Sequence, residues 1–112
     1  VDNASTSADV EDHVSMGATA ARQAHEILIN AETVVAIELL CAAQAVDFRR
    51  RTLPEGARLG QGTQVAYDLV RGAVRFWDHD HVLAPDIEAV RRMVADGTLM
   101  DAVQAVVGDP KA

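Results

Sequence analysis

Aromatic residues make up only 4% of this chain, so its 49% hydrophobic content rests on Ala, Val, Leu and Ile. Small and branched side chains at that density favour close helix packing over a bulky aromatic core. Basic residues are outnumbered, 10 against 17 acidic, which leaves a net charge of −7. General affinity for nucleic acid or for an anionic membrane surface rewards a basic face, so neither is expected as a partner. No apolar run approaches the ~20 residues of a membrane span. The single cysteine, Cys41, cannot form an internal disulfide and fits a reducing compartment. Its apolar neighbours suggest a buried, inert thiol. With neither signal nor transit sequence visible, the expected location is cytoplasmic. The chain opens on Val1 rather than methionine, which reads as a piece of something longer.

Proline is also absent from residues 5–51, and Gly17 is the one glycine there. Periodicity predicts helix from about residue 12 to residue 51, which would span roughly 60 Å at 1.5 Å per residue. The start of this stretch is polar, with Ser5, Thr6, Ser7, Asp9, Glu11, Asp12, His13 and Ser15 close together. Thr6, Asp9 and Asp12 are candidate caps, and Glu11 and Asp12 suit the positive end of a helix dipole. Farther on, Ile27, Leu28, Val34, Val35, Ile37, Leu39, Leu40, Val46 and Phe48 fall around most of the circumference. A helix apolar all round is normally buried on all sides, and the residues after Arg51 are too few to cover it. Arg49, Arg50 and Arg51 then stand where cations complement a helix C-terminus; the competing reading is an anion or phosphate site.

Pro54, Gly56, Gly60 and Gly62 punctuate a loop. GQGT at positions 60–63 lacks the lysine and the preceding strand of a phosphate-binding loop. Thr63 instead reads as the cap of a second helix, with Val65, Ala66, Leu69, Val70, Ala73, Val74 and Trp77 on its apolar face and an end near Asp78, His79, Asp80 and His81. Alternating Asp and His on one turn point apart, so a metal site is not expected. Pro85 opens a third helix that buries Ile87, Val90, Met93 and Val94 and stops at Gly97. A short fourth, from Leu99 to Val107, buries Leu99, Val103 and Val106 before Gly108 and Pro110. No strand pattern competes. The expected class is all-α: one very long helix followed by three shorter ones, in a single domain over residues 1–112 that forms part of a helical-bundle oligomer.

The strings STSADVEDHVSMGA (residues 5–18) and AIELLCAAQAVDFR (residues 36–49) resemble the C-terminal part of the histidine ammonia-lyase family, the aromatic amino-acid lyases and aminomutases. The Gly62-Thr63 pair, AYDLVR (residues 66–71) and LAPDIEAVR (residues 83–91) support the resemblance in order along the chain. It implies a mostly helical homotetramer whose central bundle buries the long helix and whose active sites draw residues from several subunits. It also implies an electrophile, methylidene-imidazolone, made from an internal Ala-Ser-Gly triplet. No such triplet occurs in these 112 residues, so the group, with the family's catalytic tyrosine and carboxylate-binding arginine, is expected elsewhere in a longer protein. The chain alone is expected to be inactive.

By the same resemblance, Glu11 matches the glutamate of the histidine-lyase motif NQEDHVSM, which faces the substrate or its amine adduct. A carboxylate there can pair with a cationic imidazole or amine. The plainer reading is an acid in a first helical turn. His13 matches the motif's histidine in a supporting or packing role, and Asp12 and Ser15 are expected to hydrogen-bond the turn. Asp9 and Val10 replace the motif's Asn-Gln, removing an amide donor and acceptor from the substrate wall and leaving an aromatic substrate other than histidine open. Three functions follow: an ammonia-lyase acting on histidine or another aromatic amino acid, an aromatic amino-acid aminomutase, and a non-catalytic helical assembly module.

Overall fold

A computed structural model describes the backbone of residues 9–108 and the side chains of residues 16–108. Among the described residues there are four helices and no strand: α1 (Asp9–Arg50), α2 (Gln61–Ala73), α3 (Ala84–Ala95) and α4 (Thr98–Val107). The all-α expectation and the order of one long and three short helices hold. Contacts divide the chain into two compact units, Val1–Ala31 and Glu32–Ala112.

In the first unit, α1 runs without proline, and Gly17 has open space where a Cβ would be. Its apolar side chains Met16, Ile27 and Leu28 are exposed, Ile27 at 67%.

The second unit holds the core. Ala36, Leu40 and Ala43 recur along α1 at steps of four and three, so they share one face. They form one buried cluster with Val70, Val74 and Val90, flanked by half-buried Leu39, Tyr67, Trp77, Ile87 and Met93. The alanines leave room for close packing. Burying an aliphatic side chain such as Leu40 contributes about 1.5–3 kcal/mol. Among the described residues the other faces of α1 stay largely open: Val34, Val35 and Ile37 are 40–57% exposed, and Phe48, at 50%, meets the Phe76 ring edge-on at 5.4 Å. Cys41 is exposed too, against the expectation of a buried thiol. The helix turns Leu40 inward, and the next position therefore turns out. Val34, Ile37, Cys41 and Phe48, spaced three, four and seven apart, make an outward apolar stripe with the period of a helix–helix seam.

Helix α2 starts two residues before Thr63. Gly60 is its N-cap, extended at φ −62° and ψ 160°, and the Gly60 carbonyl accepts the Gln64 N–H at 2.8 Å. Thr63 lies inside the first turn and caps nothing. The helix also stops at Ala73 rather than near Asp78, because Val74 turns extended and drops its side chain into the core at 3% exposure. Phe76 and Trp77 follow it as half-buried residues, so the apolar period runs past the helix that it predicts. Gly62 lets α2 approach α4: a Cβ there would lie 2.9 Å from Val107 Cγ1.

Pro85 sits in the first turn of α3 as expected, and Gly97, at φ 84°, separates α3 from α4. The Asp96 carboxylate accepts the Thr98 N–H at 2.9 Å, and the Thr98 side chain, followed by that N–H, holds its carboxyl below the usual range. In α4, Leu99 and Val103 are half-buried, whereas Val106 is 43% exposed, contrary to its expected burial. Among the described residues, α4 packs against α2 and α3.

Candidate functional site

The expected site residues Asp9, Val10, Glu11, Asp12 and His13 belong to the first turn and a half of α1, where the backbone is helical from Asp9 onward. Their side chains lie outside the described residues. Carboxylates here are favoured by the positive helix end whatever their further role. Ser5, Thr6 and Ser7 also lie outside the described residues.

Within Glu32–Ala112, the family-like strings do something that the sequence did not disclose: they join to one another. The Asp47 carboxylate accepts the Tyr67 hydroxyl and, at 2.8 Å, the Arg71 Nε–H, and it pairs with the same guanidinium at 2.7 Å. Arg71 also donates to Gln44 Oε1 and to the Val74 carbonyl, each at 3.1 Å. Gln44 in turn donates to the Trp77 carbonyl at 2.6 Å. One network thus ties α1 to α2 and to the chain just beyond it. Accepting-end contact with Asp47, followed by burial, pushes the Tyr67 hydroxyl above its usual value. Asp47 takes the hydroxyl of Tyr67, and Arg71 spends its nitrogens inside the fold; the arrangement is structural. The readable signal was Gln44 and Asp47 three apart on α1, opposite Tyr67 and Arg71 four apart on α2.

A second tie uses the third string. Arg91 donates to Glu32 on α1 at 2.9 Å and to Glu88 at 2.7 and 2.8 Å. The hydrogen bond from Arg91 holds the Glu88 carboxyl down to about 2, and the same contact raises Arg91. Among the described residues, no buried side-chain polar atom lacks a partner.

The Asp-His run between α2 and α3 lines an open cavity of about 470 Å³ with Arg75, Trp77 and Asp86. Among the described residues no three His, Cys, Asp or Glu side chains converge as a metal would require. His81 instead meets Asp86, in the first turn of α3, at 2.6 Å and lies 5.6 Å from the Trp77 ring. The hydrogen bond to Asp86 raises His81 above its ordinary 6.5. Because the folded value is the higher one, this contact's contribution to stability is complete below about pH 6.5 and is lost as pH rises through the raised value. An NMR titration of the His81 ring should show that elevation, and Asp86→Asn should return it toward the ordinary histidine value. An unchanged His81 titration in that variant would show that Asp86 is not its cause.

A long α1 with a polar, acid-rich head and an exposed apolar stripe, tied to three short helices through Asp47 and Glu32, defines an all-helical segment with more apolar surface than its described residues bury. The aromatic amino acid lyase family matches residues 1–72, and the chain belongs to that family. Among its relatives, the histidine ammonia-lyase of Symbiobacterium thermophilum is 51% identical over 108 residues, covering 96% of this chain and 20% of that protein. The histidine ammonia-lyase of Gloeobacter violaceus is 47% identical with the same coverage, and that of Rattus norvegicus is 48% identical over 99 residues, covering 86% of this chain and 14% of that protein. The chain therefore spans about a fifth of the length of the bacterial relatives. No solved structure matches it. Among the described residues no helix is long and apolar enough to cross a membrane.

Proposed function

We propose that this chain is the C-terminal part of a cytoplasmic ammonia-lyase that eliminates ammonia from histidine or another aromatic amino acid. The observation that carries the reading is Glu11-Asp12-His13-Val14-Ser15-Met16-Gly17 at the head of α1, in a chain 45–51% identical to bacterial histidine ammonia-lyases. The family's methylidene-imidazolone supplies an electrophile when present; it comes from an Ala-Ser-Gly triplet that these 112 residues do not contain. This chain's share is different. Glu11 offers a carboxylate that faces and pairs with the substrate's cationic amine or imidazole. His13 and Asp12 support that turn, and Asp9 and Val10 form part of the substrate wall.

The names of the relatives favour histidine, whereas Asp9-Val10 in place of Asn-Gln favours a different aromatic side chain. In the proposed assembly, a homotetramer, other subunits cover Val34, Ile37, Cys41 and Phe48 and complete each active site.

Product analysis on the full-length protein tests the reading. Incubation with histidine, tyrosine and phenylalanine in turn should yield ammonia and the corresponding α,β-unsaturated acid from one of them. A β-amino acid would identify an aminomutase, which re-adds the ammonia. No turnover of any of the three would leave the helical assembly role.

A further inference from the structure

The arginines around the end of α1 exceed what the helix end requires. Arg49 and Arg50 lie in the last turn, where they complement the dipole. Arg51 stacks on Phe48 and Phe76, with its guanidinium carbon 4.9 and 5.4 Å from the ring centres. Arg58, however, arrives from the loop at 51–60, where no helix end calls for it. Arg49, Arg50 and Arg58 together line one cavity of about 70 Å³, with Val46, Leu53 and Leu59 supplying apolar walls.

Among the described residues none of these three arginines has a carboxylate partner. The arginine ion pairs among the described residues are those of Arg71, Arg91 and Arg92. Glu55, the carboxylate of the same loop, is exposed and is not part of the cavity wall. Arg50 is held by neutral groups, donating to Gln64 at 3.2 Å and lying 4.7 Å over the Tyr67 ring, which fix it without cancelling its charge. In a chain of net charge −7, three exposed arginines without a carboxylate partner among the described residues thus line a single small cavity, a local excess of positive charge.

We propose that this cavity binds a small multiply charged oxyanion, either inorganic phosphate or the phosphoryl group of an ester. Guanidinium groups from separate backbone positions suit a tetrahedral anion that presents acceptors in several directions; a carboxylate occupies only one fork. The site is formed by the end of α1 and the loop after it, not by the Glu11 turn, so it is an anion site additional to the lyase substrate's.

Calorimetric titration of inorganic phosphate into the full-length protein at fixed ionic strength tests it. One saturable site per chain is expected, with weaker binding of acetate. Arg49→Gln and Arg58→Gln should each weaken phosphate about tenfold or more, as loss of a charge-assisted hydrogen bond implies. Arg75→Gln, an exposed arginine that is not part of this cavity, should leave it unchanged. Methyl phosphate binding more tightly than inorganic phosphate would point to an ester as the natural source; the reverse order points to the free ion. Absence of saturable binding overturns the proposal. So does binding that is indifferent to Arg49 and Arg58, equally sensitive to Arg75, or no stronger for phosphate than for acetate. A melting temperature at the wild-type value confirms that each variant is folded.

Discussion

Replacing Glu11 by Gln in the complete enzyme is expected to lower turnover by roughly a hundredfold or more, the range that a positioned general acid or base supplies. Glutamine keeps the size and hydrogen-bonding reach of the side chain but cannot accept a proton or carry the charge that faces a cationic amine. The plainer role predicts something much smaller. An acid in the first turn of a helix contributes about 0.3–1 kcal/mol through the dipole, which would appear in the melting temperature and hardly in the rate. Asp12→Asn is the matched comparison, since it removes a neighbouring carboxylate from the same turn. A large loss of turnover for Glu11→Gln, with little change in melting temperature, supports the site role. Equal, small effects for the two variants would reduce Glu11 to a helix-end acid.

A double variant, Val34→Asp with Ile37→Asp, is expected to abolish subunit association and with it the activity. Both side chains are exposed in this chain, at 57% and 41%, so the core around Leu40 and Val90 does not depend on them. In an assembly they would be buried in every copy, and an unpaired buried charge costs several kcal/mol per ion. Light scattering should therefore report dissociated subunits whose circular dichroism remains helical. A variant that keeps the wild-type mass and activity would show that this stripe of α1 faces solvent in the working protein.

The fold was largely legible because its signals are local. The absence of proline from residues 5–51 predicts a long α1, and Pro85, Gly97 and Gly108 mark the limits of α3 and α4 where the helices do begin or end. Two boundaries of α2 were not legible. Thr63 resembles a cap in sequence, yet Gly60 takes the extended conformation and starts the helix earlier. Val74 and Trp77 keep the helical period, yet burial of Val74 and the Gln44 contact to the Trp77 carbonyl hold that stretch off the helix. A period in sequence records which residues seek the core and is silent on whether they reach it from a helix.

The candidate lyase site was legible only as a motif. Glu11 and His13 drew notice through the family-like string, since acids at a helix start are ordinary on physical grounds. The ties Asp47–Arg71 and Glu32–Arg91 went unseen, because a charge pair between positions far apart depends on which helix faces meet.

By itself, then, the sequence determined the helical class, the length and the polar head of α1, its excess of apolar surface, and membership of the lyase family through residues 1–72. Those properties follow from neighbours along the chain and from composition. Only the tertiary structure decided that Ala36, Leu40 and Ala43 turn inward while Cys41 turns out, and that Tyr67 and Arg71 hold Asp47. It alone brought Arg58 to the same cavity as Arg49 and Arg50. An all-round apolar helix gives every face a similar claim to burial, so the choice among them was made by the small, branched side chains of α2 and α3 that pack against one face.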